Sequence, residues 1–266
     1  MSDFWQYDVL PPHELVRIQV FPSGCVVLRF NLAASAAESV LYGPSLRPDM
    51  KSVFARGIPA FGAALQLEGA RALIGCDIGE LCDLRLDLGL FWRRGLASLG
   101  EQLALAPSFT RRSELLAAFM RRELCERRAP HGDLMDALAR LLAHGESAAL
   151  PRQLNVSERT LRRHFDSHVG LSPKALQRVV RVQTAMRTLV ERPASPRSRL
   201  ALAGGFSDQP HFNREFKRLL AMSPGDFTHY IGRFHEQALP IWTDLNQRMT
   251  HEPWFEELRR LASGGP

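Results

Sequence analysis

Two stretches of this sequence, "LRRHFDSHVGLSP" from Leu161 and "FNREFKRLLAMSP" from Phe212, align without a gap. The offset is 51 throughout, pairing Arg163 with Arg214, Phe165 with Phe216, Leu171 with Met222, Ser172 with Ser223 and Pro173 with Pro224. Each stretch follows a short apolar helix signal and a tight turn. "AALPRQL" leads through Asn155 and Val156 to Ser157, and "RLALAG" leads through Gly205 and Phe206 to Ser207 or Asp208. Helix, short turn, capping residue and second helix form a helix-turn-helix plan, and here the plan occurs twice.

Local chemistry predicts both second helices, over about 157–167 and 208–219. Ser157 caps the first, with Glu158 favourably placed at the positive end of the helix dipole. Leu161 and Phe165 share one face four residues apart, leaving Arg159, Arg162, Arg163 and His164 on the others. In the second copy Phe212 and Phe216 are apolar, while Gln209, His211, Asn213, Arg214 and Lys217 face outward. Pro210 then falls in a first turn, where its missing N–H has no intrahelical partner to lose, and Pro151 reads the same way. Between the copies, residues 173–191 form one long amphipathic helix, with Leu176, Val179, Val180, Met186, Leu189 and Val190 at three- and four-residue steps. "RPASPRS" ends it with two prolines. Such a strut holds two second helices at a fixed separation, which must be about 34 Å to enter successive major grooves of B-DNA.

Charge follows the same division. Residues 1–150 hold 16 Lys/Arg and 17 Asp/Glu, a net of −1; residues 151–232 hold 14 and 6, a net of +8; residues 233–266 hold 4 and 5, again −1. The positive excess sits in the repeated segment, as in a nucleic-acid-binding module attached to a neutral domain. Charge alone is equally compatible with a solvated basic surface.

The segment 134–230 resembles the DNA-binding domain of the AraC/XylS family of bacterial transcription regulators. "GFSDQPHFNREFKRLLAMSPGDF" is close to that family's signature. Two departures stand out. Ala221 replaces the usual glycine, which implies a tighter or shifted turn, and Pro151 replaces a small helix former, which implies a short first support helix. The resemblance implies base-edge contacts from Arg159, Thr160, Arg162 and Arg163 in the first unit, and from Gln209, His211, Asn213 and Arg214 in the second. Arginine forks suit guanine O6 and N7, and Gln or Asn suits adenine. Ser157, Lys174, Arg181, Lys217 and Arg218 are the phosphate candidates, which set register and salt dependence. Exposed arginines are commonly only solvated or ion-paired, and His164 beside Phe165 reads as packing. Leu161, Phe165, Phe206, Phe212 and Phe216 read as core.

Residues 14–66 break into short runs, "ELVRIQV", "CVVLRFN", "SVLY", "KSVFA" and "AFGAALQL", separated by turns such as "FPSG" and "GPSLRPD". This predicts a small antiparallel sheet or half-barrel. From Gly69 the pattern becomes helical, and 109–124 places Leu115, Leu116, Phe119 and Met120 on one stripe. "YDVLPP", "FPSGCVVLRFN", "GPSLRP" and "EGARALIG" are together similar to an N-terminal domain of one AraC-type branch, implying a sensing or dimerising role. The aromatic-rich stretch usual between the "PP" and "PSG" elements is missing.

No secretory leader or membrane span is expected. Cys25, Cys76, Cys82 and Cys125 are too scattered for a disulfide scaffold or a zinc site, so reduced, buried thiols in a cytoplasmic protein are expected. No nucleophile elbow, HExxH or phosphate loop occurs. His131-Gly132-Asp133 reads as a polar lead-in to the next domain. Beyond residue 232, Trp242, Leu245 and Met249, then Trp254, Phe255, Leu258 and Leu261, make two amphipathic helices divided by Pro253, expected to pack back on the protein, with a partner or dimer contact as the alternative.

The expected molecule is therefore α+β with two domains. Residues 1–128 form a β-rich sensing or dimerising domain with trailing helices, residues 131–232 an all-α tandem helix-turn-helix domain, and residues 233–266 an amphipathic helical extension. It is expected to be a sequence-specific regulator of transcription, not an enzyme, with no cofactor and no metal. Its expected partner is promoter DNA. RNA polymerase, an unidentified small-molecule effector and a second copy of the chain are further candidates, and no membrane is involved. The alternative is a DNA-repair or alkyl-transfer enzyme with an AraC-type appendage, which would need a cysteine acceptor motif that these four cysteines do not supply.

Overall fold

Alternation of apolar and polar residues in the N-terminal half produces strands buried on one face or on both. The computed structural model describes residues 2–7, 16–19, 22, 24–32, 39–46, 51–54, 59–65, 67–125 and 150–234. Five of its strands fall on the predicted runs: β2 (Val16–Gln19), β3 (Val26–Asn31), β4 (Ser39–Tyr42), β5 (Lys51–Phe54) and β6 (Ala60–Leu65). Two others escaped the sequence reading, β1 (Ser2–Tyr7) and the three-residue β7 (Arg85–Asp87). Strands β1-β6-β3-β4-β7 form one antiparallel sheet in that order, and β2 and β5 pair separately as an antiparallel ribbon.

Side chains of β3 alternate as far as Phe30, beyond which Asn31 is buried as well. Val26, Leu28 and Phe30 are buried, and Val27 and Arg29 are half-buried. Strand β6, opposite β3 with Phe30 facing Phe61 and Leu28 facing Ala63, is buried along its whole length. The reason is that both of its faces are covered, a condition usually met in the interior strands of layered folds. Phe61, Ala63 and Leu65 face a core shared with three helices, α1 (Leu67–Ile74), α2 (Leu96–Leu105) and α3 (Phe109–Cys125). Trp92 seals that core, its ring edge-to-face with Phe119 at 5.1 Å and its Nε1 donating to the Leu73 carbonyl at 3.3 Å. Ala64 points the other way, into a second core with Cys25 and residues from the basic segment.

The basic segment is all helix: α4 (Leu150–Gln153), α5 (Glu158–Val169), α6 (Pro173–Glu191), α7 (Arg197–Ala203), α8 (Gln209–Leu220) and α9 (Pro224–Phe234). The long helix α6 begins and ends where predicted. Ser172 caps it, accepting from the Ala175 N–H at 3.2 Å, and Pro173 occupies its first turn. Its nineteen residues span about 28 Å. One end packs in the second core with Leu161, Phe165, Leu171, Leu176 and Val179, and the other in a third core with Met186, Leu189, Phe212, Phe216 and Phe227. The lead-in at 131–133, the start of the predicted C-terminal domain before residue 150, and the helices predicted after residue 234 lie outside the described residues.

The sheet meets the first helix-turn-helix unit directly. A side chain on Gly79 would meet the Asp166 carbonyl at 2.9 Å, and one on Gly170 would meet the Ile78 carbonyl at 2.9 Å. Only residues lacking a Cβ permit that approach. Around it Asp77 accepts from the Ser167 hydroxyl at 2.8 Å and from Arg71 at 2.8 Å, and Arg71 donates to His168 Nε2 at 3.3 Å. His168 in turn donates from Nδ1 to the His164 carbonyl at 3.1 Å, so its ring is the neutral Nδ1–H tautomer. Gln183 of α6 donates to the Pro22 carbonyl at 3.2 Å.

Candidate nucleic-acid interface

In the first unit, Leu161, Phe165 and Val169 are buried on one side of α5, while Arg159, Arg162 and Arg163 are exposed on the other. Ser157 caps the helix, accepting from the Thr160 N–H at 3.1 Å and touching the Thr160 hydroxyl at 2.8 Å. These two hydroxyls are thus turned toward each other. His164 is half-buried with its ring against His168, in keeping with a packing role. Gly170 ends the helix in the left-handed conformation, φ 76°. Lys174 is exposed in the first turn of α6.

In the second unit Asp208 is the cap, accepting from the His211 N–H at 2.6 Å, and Pro210 lies in the first turn. Phe212 and Phe216 are buried, while Gln209, Asn213, Arg214, Lys217 and Arg218 are exposed and His211 is half-buried. The aromatic rings run in a chain: Phe206 to Phe212 at 5.3 Å, Phe212 to Phe216 at 5.4 Å, Phe216 to Phe227 at 5.6 Å. Each contact adds about 0.5–1.5 kcal/mol beyond simple burial. Two carboxylates of this unit, Asp208 and Asp226, sit below the ordinary carboxyl range. The main causes are the His211 backbone N–H for Asp208 and the Ser223 hydroxyl for Asp226.

Exposed cations thus lie opposite the core in both units, with Arg163 and Arg214 at matching positions. Residues 150–229 match the model of a family described as "Helix-turn-helix domain". This segment is an AraC-type helix-turn-helix domain.

Among curated proteins, the AraC-type domain is similar to the HTH-type transcriptional regulator MtrA of Neisseria gonorrhoeae. The two are 40% identical over 73 residues, 27% of this chain and 24% of that protein. It is likewise similar to the HTH-type transcriptional regulator GlxA of Rhizobium meliloti (strain 1021), at 36% identity over 87 residues, 33% of this chain and 26% of that one. The chain thus spans about a quarter of the length of the curated relatives it matches. Among solved structures, ToxT from Vibrio cholerae is 12% identical, with 86% of this chain and 98% of that chain covered and a TM-score of 0.47.

Several features of the AraC-type domain were not read from sequence. The turn of the second unit is one residue longer than that of the first. Left-handed Asn155 stands two residues before the cap Ser157, whereas left-handed Gly205 stands three before Asp208. Ala221, placed where glycine was expected, keeps the turn rather than shifting it: it adopts φ 56° itself and donates to the Lys217 carbonyl. Arg178 pairs with Glu215 at 3.6 Å, tying α6 to α8, and Glu215 also draws Arg218 to 3.8 Å. Arg181 is half-buried beside the second turn, its Nε 3.4 Å from where a side chain on Gly205 would lie. Ser223 and Asp226 cap one another's backbone N–H groups at 3.1 Å, a reciprocal arrangement that the S-x-x-D spacing of "SPGD" could have disclosed.

In the sheet domain, a cavity of about 160 Å³ is lined by Phe30, Asn31, Ser39, Asp87, Leu96, Ala97 and Gly100. Cys25 is buried in the second core, and Cys76 and Cys82 are half-buried against the cores. None of these three is in a disulfide. Among the described residues, no helix is long and apolar enough to cross a membrane.

Proposed function

We propose that this chain is a sequence-specific DNA-binding regulator of transcription that inserts α5 and α8 into successive major grooves. Arg159, Thr160, Arg162 and Arg163 meet base edges in one groove, and Gln209, His211, Asn213 and Arg214 in the next. Lys174, Arg181, Lys217, Arg218 and Ser157 serve the phosphates. One observation supports this reading most: Arg163 and Arg214, related by the repeat offset, are both exposed on helices whose opposite faces are buried. On this reading promoter DNA is the partner, the cytoplasm is the location, and the sheet domain modulates binding. An effector, RNA polymerase and a second copy of the chain are its candidate inputs and outputs. Burial of Cys25 and partial burial of Cys76 and Cys82 favour packing roles over alkyl acceptance.

In-vitro selection from a random DNA pool tests it. The expected product is an asymmetric site with two clusters of preferred bases about 10 bp apart. Arg163→Ala is expected to relax the first cluster alone and Arg214→Ala the second, each by about 1–3 kcal/mol for the preferred sequence. Uniform weakening of every sequence by both changes would reassign those arginines to phosphates.

A further inference from the structure

Three side chains at the start of α8 are linked. His211 Nδ1 lies 3.1 Å from the Ser207 hydroxyl oxygen, which lies 3.2 Å from Asp208 Oδ2. The Phe206 ring meets the imidazole nearly edge-on, with centroids 5.6 Å apart. Asp208 is held ionised by the His211 backbone N–H and by the Ser207 hydroxyl. An ionised carboxylate has no proton to give, so Ser207 donates to Asp208. A hydroxyl carries a single hydrogen. Ser207 can then meet His211 only as an acceptor, and Nδ1 must bear the imidazole proton. In the neutral ring this leaves Nε2 with a lone pair. His211 is the third residue of its helix, in the turn that approaches base edges in a recognition helix. Arg214 acts electrostatically on Asp208, and the Arg181 guanidinium lies beside Gly205 at the start of the same turn.

We infer that His211 reads DNA as a hydrogen-bond acceptor, its Nε2 taking an amino hydrogen of adenine N6 or cytosine N4, with Ser207 and Asp208 fixing that tautomer. The inference rests on the DNA-binding reading of α8. In the major groove guanine and thymine present oxygen acceptors where adenine and cytosine present amino donors. The Nε2 lone pair therefore attracts one pair of bases and repels the other. Ser207 and Asp208 are positioning residues: they touch no base and act by choosing which ring nitrogen carries the proton.

Two measurements on the full chain test this. Nitrogen-15 imidazole spectra at about pH 8, above the ordinary histidine range, report the tautomer without DNA. The wild-type His211 ring is expected as the Nδ1–H form; Ser207→Ala shifts it toward Nε2–H, and Ser207→Thr preserves it. In random-pool selection, one position of the second cluster is expected to favour adenine or cytosine about tenfold. Ser207→Ala flattens that position and leaves the first cluster intact, and His211→Lys, a pure donor, turns it toward guanine. An Nε2–H ring in the wild type overturns the inference, and so does a base preference unmoved by Ser207→Ala while both clusters persist. A wild type that selects no sequence removes the DNA-binding reading, and this inference with it.

Discussion

Gly170 and Ala221 occupy the same place in the two units, and both close their helices in the left-handed region. A side chain in that region crowds the following carbonyl by about 1–2 kcal/mol, which glycine avoids. Glycine's greater freedom in the unfolded chain returns part of this difference. Ala221→Gly is therefore expected to stabilise the protein by about 0.5–1 kcal/mol in urea titration. Gly170→Ala is expected to destabilise by more than the backbone term, because its Cβ would also meet the Ile78 carbonyl at 2.9 Å. The sequence disclosed that glycine was replaced at 221, but not that alanine would accept the strained backbone. That outcome depends on the Lys217 carbonyl, which the left-handed turn satisfies. The exposure of most of the candidate residues was legible because they lie opposite phenylalanines at helical spacing, while their role came only from the family resemblance. Their partners were not legible: the Ser157–Thr160 contact, the Arg178–Glu215 pair and the Ser207 relay depend on rotamers that spacing does not fix.

Among elements, α5, α6 and α8 were legible because each carries a cap, a first-turn signal and a buried stripe that agree. Strand β1 was not, because only pairing of Ser2–Tyr7 with the distant β6 makes it a strand. The three residues of β7 are too few to show a period. In α8 the aromatic chain through Phe216 does the positioning. Phe216→Ala is expected to destabilise by about 3–5 kcal/mol. In footprinting under conditions where the chain remains folded, protection of the second half-site is expected to fall while that of the first persists. Equal loss of both half-sites would show that the units are not separately supported.

At the scale of the molecule, acid is expected to loosen the contact between the sheet domain and the first unit. Burial is the main cause that holds His168 below the ordinary imidazole value. Well above about pH 6.5 the ring is neutral whether folded or unfolded, and it makes no difference to stability. As pH falls below that, the unfolded chain binds a proton that the folded ring does not, so stability declines until the folded ring titrates too. Asp77 acts in the same direction at lower pH. The Ser167 hydroxyl, followed by Arg71, keeps its carboxyl below the usual range, and the stability this gives is lost as pH falls through the folded value. Hydrogen exchange at residues 167–170, corrected for intrinsic rate, is expected to rise between about pH 7 and pH 5.5, and His168→Gln to abolish that rise. Gly79→Ala, which sets a methyl group against the Asp166 carbonyl, is expected to loosen the same contact at neutral pH.

The two units therefore stand on different foundations. The second stands mostly on its own phenylalanines, with Leu46 of the sheet domain at its edge, while the first rests on Cys25 and Ala64 at the sheet itself. A signal arriving at the sheet would reach first the half of the grip that leans on it most. Such a protein would be tuned the way a hand is loosened, one finger released and the other still holding.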